Sequence, residues 1–164
     1  MREIVTDRLK IRRFQEADLE PYIKIMTNPA VTKYLGDGKD LTELDVIKKL
    51  DWFKKVWDEH GFGVFAVIEL TSQNIIGHCG FLPMKDSREL LYAFDSFAWG
   101  KGYATEACRA VLEAAKNQFK WTEIYAIAYP QNKHSIAVLK KLGFLNIGTN
   151  KYFGHLLEEY LLKI

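Results

Sequence analysis

Apolar and polar positions alternate from Leu9 to Arg12, and the stretch from Leu9 to Phe14 is predicted as a first strand. Asp18 then caps a helix in which Leu19, Tyr22, Ile23 and Met26 recur at helical spacing, with Pro21 tolerated in the first turn. Asn28-Pro29 ends it, and a short helical piece from Ala30 to Leu35 closes at Gly36-Asp37-Gly38. Thr42-Glu43-Leu44-Asp45 reads as a capping box with Asp at its far position. The helix it opens carries Ile47, Leu50, Phe53 or Lys54, and Trp57 on one side, and stops near Gly61 and Gly63. Three strands follow, Val64 to Leu70, Ile75 to Pro83 and Glu89 to Asp95, the first two joined by the polar turn Thr71-Ser72-Gln73-Asn74. A long helix is expected from Tyr103 to Phe119, with Ala107, Val111, Ala114 or Ala115, and Phe119 on its apolar side. Glu123 to Tyr129 is a strand and Ser135 to Leu142 a helix with Gly143 at its C-cap. Phe144 to Thr149 and Leu156 to Leu162 are the last strands. The order β α α β β β α β α β β predicts one α/β domain over residues 1–164, built around a single mixed sheet.

The candidate chemistry begins where the strand ending at Asp95 runs through Ser96-Phe97-Ala98-Trp99 into Gly100-Lys101-Gly102 and the long helix. Glycine permits positive φ and leaves room for a ligand against the main chain. Consecutive N–H groups can converge there on an anion, and the helix end adds unpaired donors and the positive end of its dipole. A diphosphate suits such a turn. Two other phosphate loops fail on the letters. A P-loop needs glycine where Asp95 stands and Ser or Thr where Gly102 stands, and a dinucleotide fingerprint needs glycine at Thr105. A plain turn joining strand to helix remains open on Gly-x-Gly alone.

A second motif, Asn132-x-x-Ser135 followed by Lys141-Leu142-Gly143-Phe144, comes after the next strand. With Trp99-Gly100-Lys101-Gly102-Tyr103-Ala104-Thr105-Glu106-Ala107 and Thr6-Asp7-Arg8-Leu9, it makes the chain resemble the GCN5-related N-acetyltransferases. The likeness is strongest to the branch that includes the bacterial ribosomal-protein N-terminal acetyltransferases. It implies a mostly antiparallel sheet flanked by helices, with two parallel strands splayed to form a cleft for acetyl-CoA. It implies cofactor contacts from Phe94, Trp99, Gly100, Lys101, Gly102, Tyr103, Ala104, Thr105, Asn132 and Ser135, several through backbone N–H groups. The Phe94 backbone N–H would polarise the thioester carbonyl, and Ser135 would meet the departing thiolate. Trp99 stands where the wider superfamily has Gln or Arg, so the backbone donors must carry the phosphates. Thr105 is open between capping the helix and touching phosphate, and Lys140 or Lys141 between solvent and the adenosine phosphate. No metal is implied.

The base is not legible. Glu69, His78, Glu89, Tyr92, His155 and Glu158 are candidates, and water can relay the single proton an amine must lose. The acceptor side is expected from the Thr27–Lys49 region and the tail near Tyr152–Glu158, which carry Tyr34, Asp37, Asp40, Tyr152, His155 and Glu158. These aromatic and acidic groups suit a cationic amine.

Composition narrows the classes further. The 164 residues fit one core, and 48% hydrophobic with 27% charged residues is ordinary for a globular chain. A net charge of +2, without a basic block, gives no reason to expect nucleic acid. Apolar runs fall short of a membrane span, and Arg2, Glu3 and Asp7 interrupt any signal-peptide core. Cys79 and Cys108 show no metal or redox spacing, so a reducing, cytoplasmic setting is expected. The acceptor would be a peptide or small-molecule amine, the assembly a monomer or homodimer, and the alternative a CoA-binding sensor without turnover.

Overall fold

The structure is a computed structural model that describes residues 3–84 and 87–164. In chain order its elements are β1 (Ile4–Val5), β2 (Leu9–Arg12), α1 (Leu19–Met26), α2 (Pro29–Thr32), α3 (Glu43–His60), β3 (Val64–Glu69), β4 (Ile75–Met84), β5 (Ser87–Phe94), α4 (Tyr103–Phe119), β6 (Glu123–Ala128), α5 (Lys133–Lys141), β7 (Leu145–Tyr152) and β8 (His155–Lys163). One eight-stranded sheet runs in the order β1-β2-β3-β4-β5-β6-β8-β7. Its neighbours are antiparallel except β5 and β6, which are parallel and share only the register Glu89↔Tyr125. Beyond that point the two strands part, and the expected mixed, mostly antiparallel α/β fold with a splayed parallel pair is what the chain adopts.

Two apolar layers hold the sheet. On one face α4 lays Ala107, Cys108, Val111, Leu112 and Ala115 against β4, β5 and β6. On the other, α1 and α3 bury Tyr22, Ile25, Met26, Val46 and Phe53. Thr42 and Asp45 form the expected capping box, the Asp45 carboxylate accepting the Thr42 N–H at 2.9 Å. Gly61 ends that helix at φ +69°. The buried stripe of α3 is Val46, Phe53, Val56 and Trp57 rather than the Ile47 and Leu50 of the simplest helical reading. The stripe drifts because α3 packs on three clusters along its length.

Several boundaries differ for identifiable reasons. The first strand stops at Arg12, and Phe14 turns inward against Tyr22, with ring centres 4.8 Å apart. Asp18 does not cap α1. Its carboxylate accepts from the Arg12 guanidinium at 2.7 and 2.9 Å and from the Gln15 N–H at 2.8 Å, fixing the bend between strand and helix instead. Asn28 caps the short α2, which therefore begins at Pro29 and not at Ala30. Asn132 likewise caps α5, which begins at Lys133, two residues before the expected start at Ser135. No helix among the described residues is long and apolar enough to cross a membrane. Cys79 and Cys108 are free, buried thiols whose sulfurs lie 3.5 Å apart between β4 and α4. Burial pushes Cys108 well above the usual thiol range, which makes it a packing residue rather than a nucleophile.

Candidate active site

The turn below the gap is built by its glycines. Gly100 and Gly102 have φ of +73° and +81°, a region that only glycine enters without cost. A Cβ on Gly100 would meet nothing within 4 Å, and one on Gly102 only the Arg8 guanidinium at 3.5 Å, so the shelf is open. The Glu106 N–H bonds the Gly102 carbonyl at 3.1 Å. The N–H groups of Tyr103, Ala104 and Thr105 are therefore the unpaired donors of the first turn of α4. Thr105 forms no cap, because the cap position is Gly102 itself. Trp99 departs from expectation: its N–H is taken by the Ser96 carbonyl at 3.2 Å, and its indole N–H donates to the Phe94 carbonyl at 2.8 Å. Lys101 is exposed, while Tyr103 is buried and its hydroxyl donates to Glu69.

Arg8 and Glu106 lock this turn to the first strand, a role the sequence motif did not reveal. Glu106 accepts from the Thr6 hydroxyl at 2.6 Å, the Arg8 N–H at 3.1 Å and the Arg8 Nε at 2.7 Å. The same guanidinium donates to the Lys101 carbonyl at 2.8 Å and covers the Tyr103 ring at 4.6 Å. The fork thus fixes both the turn and the first turn of α4.

The lip of the gap follows from ladder alternation. The Asp95 N–H donates to the Ile76 carbonyl at 2.9 Å, which makes 95 and 76 a hydrogen-bonded pair. The N–H groups of Phe94 and Tyr92 then point away from β4, to the side where β6 has diverged. Gly77 backs Phe94 closely: a Cβ there would stand 2.2 Å from the Ala93 carbonyl oxygen. The Phe94 side chain is buried in the core, as expected.

Across the gap, Asn132 and Ser135 open α5. The Asn132 side-chain oxygen accepts the Ser135 N–H at 3.2 Å, leaving the amide NH2 for other partners. The Ser135 Oγ lies 2.8 Å from the Tyr92 hydroxyl. Lys140 and Lys141 are exposed at the far end of the same helix. Among the described residues no group of three or more His, Cys, Asp or Glu side chains could hold a metal ion.

The base candidates separate clearly. Glu69 is engaged by Ser72 and Tyr103, and the Glu158 carboxylate accepts from Tyr160. Tyr92 belongs with Ser135. His155 faces Tyr129 with ring centres 5.4 Å apart. His78 is fully buried, its Nδ1 2.9 Å from the Tyr22 hydroxyl, and burial followed by the Lys49 charge holds it down to about 3. Glu89 stands at the apex of the gap, where β5 and β6 last pair. Burial raises its carboxyl to about 7, against the opposing pull of Lys49. The two expected acceptor segments converge at Tyr129, which the sequence did not flag. Its hydroxyl donates to the Gly36 carbonyl at 2.8 Å, and its ring lies 5.6 Å from Tyr34. Asp37 is paired with Lys39 at 2.8 Å, and the Tyr152 hydroxyl donates to Glu159.

His78 and Glu89 set opposite pH slopes on stability. His78 is neutral when folded and charges near 6.5 when unfolded, so it removes stability as pH falls from 6.5 toward 3. Glu89 is protonated below about 7 when folded but only below 4.5 when unfolded, so it adds stability as pH falls through that interval. The two offset each other between 6.5 and 4.5. Urea unfolding of the Glu89→Gln variant should therefore lose about 1.4 kcal/mol per pH unit between pH 6.5 and 4.5, where the native chain stays level. Identical slopes for both proteins would contradict the raised carboxyl of Glu89.

A parted parallel strand pair, N–H groups turned into the gap along one lip and an open glycine helix end beneath them suit an acyltransferase that takes its acyl group from a CoA thioester. Residues 8–145 match the acetyltransferase (GNAT) domain model, and the chain belongs to that family, whose cosubstrate is acetyl-CoA. It is similar to the Bacillus subtilis (strain 168) protein YkkB, with 30% identity over 148 residues covering 86% of this chain and 84% of that one. A GNAT-family acetyltransferase from Bacillus anthracis superposes with a TM-score of 0.82 at 27% identity, covering 99% of this chain and 97% of that one. A ribosomal L7/L12 alpha-N-protein acetyltransferase in complex with coenzyme A shares the fold, with a TM-score of 0.83 at 16% identity and coverage of 99% and 98%.

Proposed function

We propose that this enzyme acetylates a primary α-amine, on a peptide N-terminus or a small amine, by direct attack on acetyl-CoA. The observation that carries the reading is the gap between β5 and β6, with backbone donors on one lip and Ser135 on the other. The pantetheine arm lies in the gap and the diphosphate on the turn at 100–105. The neutral amine nitrogen attacks the acetyl carbon, and the carbonyl oxygen is held by the Phe94 N–H or its neighbour at Tyr92. The C–S bond breaks with its electron pair on sulfur, which Ser135 meets with a hydrogen bond, and CoA leaves as the thiol. The amine's surplus proton passes to Glu89, directly or through water.

An α-amine, with a pKa of about 8, is partly neutral near pH 7, whereas a lysine amine at about 10.4 is almost wholly charged. The fold is shared with an enzyme named for α-N-protein acetylation, which supports the same class. The test is a pH–rate profile on two peptides, one with a free N-terminus and one whose only amine is lysine. The free N-terminus should be preferred, with activity rising through about pH 7 and that limb missing in Glu89→Gln. Preference for the lysine peptide across the neutral range would overturn the α-amine reading.

A further inference from the structure

Tyr92 and Ser135 are 43 residues apart, yet their hydroxyl oxygens lie 2.8 Å from each other. Tyr92 projects from β5 and Ser135 from the first turn of α5, which follows β6. Their bond therefore ties β5 to the helix that follows β6 across the gap. It crosses on the α4 side, where Tyr92 packs beside the main core. The phenol has a second contact, to the Ser135 carbonyl at 3.2 Å, but that oxygen is the poorer target by 0.4 Å of distance.

We propose that Tyr92 is the positioning residue for the leaving-group contact: its phenol donates to Ser135 Oγ and leaves the serine proton free to face the departing sulfur. Ser135 has one proton and two lone pairs. Once Tyr92 occupies a lone pair, the serine proton has no internal claim and points into the gap. Without the phenol, that proton is free to rotate onto a neighbouring helix carbonyl, as serine often does in a helix. Burial raises the Tyr92 phenol far above its ordinary value, so it stays protonated and acts as a donor, never as the acid. The thiolate is stabilised by the Ser135 hydrogen bond and takes its proton from solvent as CoA departs. This inference rests on the proposed contact of Ser135 with the thiolate.

A double-mutant cycle tests it, with acetyl-CoA and a peptide bearing a free N-terminus. Tyr92→Phe keeps the half-buried ring and should lower kcat about tenfold, with KM for acetyl-CoA within about twofold. Placed on Ser135→Ala, it should lower kcat no further. Multiplying losses in the double variant would overturn the proposal, since Tyr92 would then act independently of Ser135. So would native turnover in Tyr92→Phe beside a slow Ser135→Ala. Native turnover in Ser135→Ala would instead remove the reading beneath it. Thermal unfolding and CoA titration of each variant separate loss of function from loss of fold. If Tyr92→Phe fails to fold, Tyr92→Trp and Tyr92→Met carry the same cycle.

Discussion

Gly102→Val should weaken CoA binding about a hundredfold while the protein still unfolds in one cooperative transition. Gly102 sits at φ +81°, where a β-branched residue is strained by about 1–3 kcal/mol. Relief of that strain rotates the peptide planes that present the N–H groups of 103–105. Losing the aim of one charge-assisted bond from such a group costs about 1.5–3 kcal/mol more. The side chain itself would stand over the shelf, beside the Arg8 guanidinium that a Cβ meets at 3.5 Å. The fold survives because Gly102 is exposed and the core beneath α4 is set by Ala107, Val111 and Ala115. Calorimetric titration with CoA is the readout. Unchanged affinity in a folded variant would remove the diphosphate from this turn.

The second large effect falls on chemistry. Ser135→Ala should reduce kcat by about 10- to 100-fold, the worth of one hydrogen bond to a developing charge. KM for acetyl-CoA should move little, because the thioester sulfur of the ground state carries no charge for the hydroxyl to meet. The substitution leaves the helix cap in place, since the Asn132 oxygen bonds the Ser135 N–H and not its side chain. Tyr92 retains the Ser135 carbonyl as a partner, so no buried donor is orphaned. Steady-state kinetics at saturating amine separate the two parameters. A variant with native kcat would leave Ser135 as a helix residue only.

Local signals made most of the fold legible. Capping at Thr42, the glycine turn and the apolar repeat of α4 are short-range patterns, and the helix from Tyr103 to Phe119 falls where its spacing places it. The positive φ of Gly100 and Gly102 at the head of α4 is legible for the same reason. What escaped the sequence is long-range. Arg8 meets Glu106 across 98 residues and Tyr92 meets Ser135 across 43, and no periodicity relates such positions. Asp18 illustrates a competition that letters do not resolve, because a cap residue can also serve a nearby arginine, and Arg12 won. Cys79 and Cys108 share no motif and still touch, brought together by the packing of α4 on β4. The candidate bases are not separable by their letters, because the environment of a side chain is set by distant packing. The raised carboxyl of Glu89 comes from its place at the apex of the gap, beside neighbours that sequence spacing does not relate to it.

Release of CoA measures turnover directly. The purified protein, acetyl-CoA and a short peptide with a free N-terminus should yield CoA thiol and acetylated peptide in equal amounts, with release dependent on the peptide. Saturable acetyl-CoA binding without CoA release, across peptides and a broad panel of primary amines, would overturn the transferase reading and make the chain an acyl-CoA-binding module.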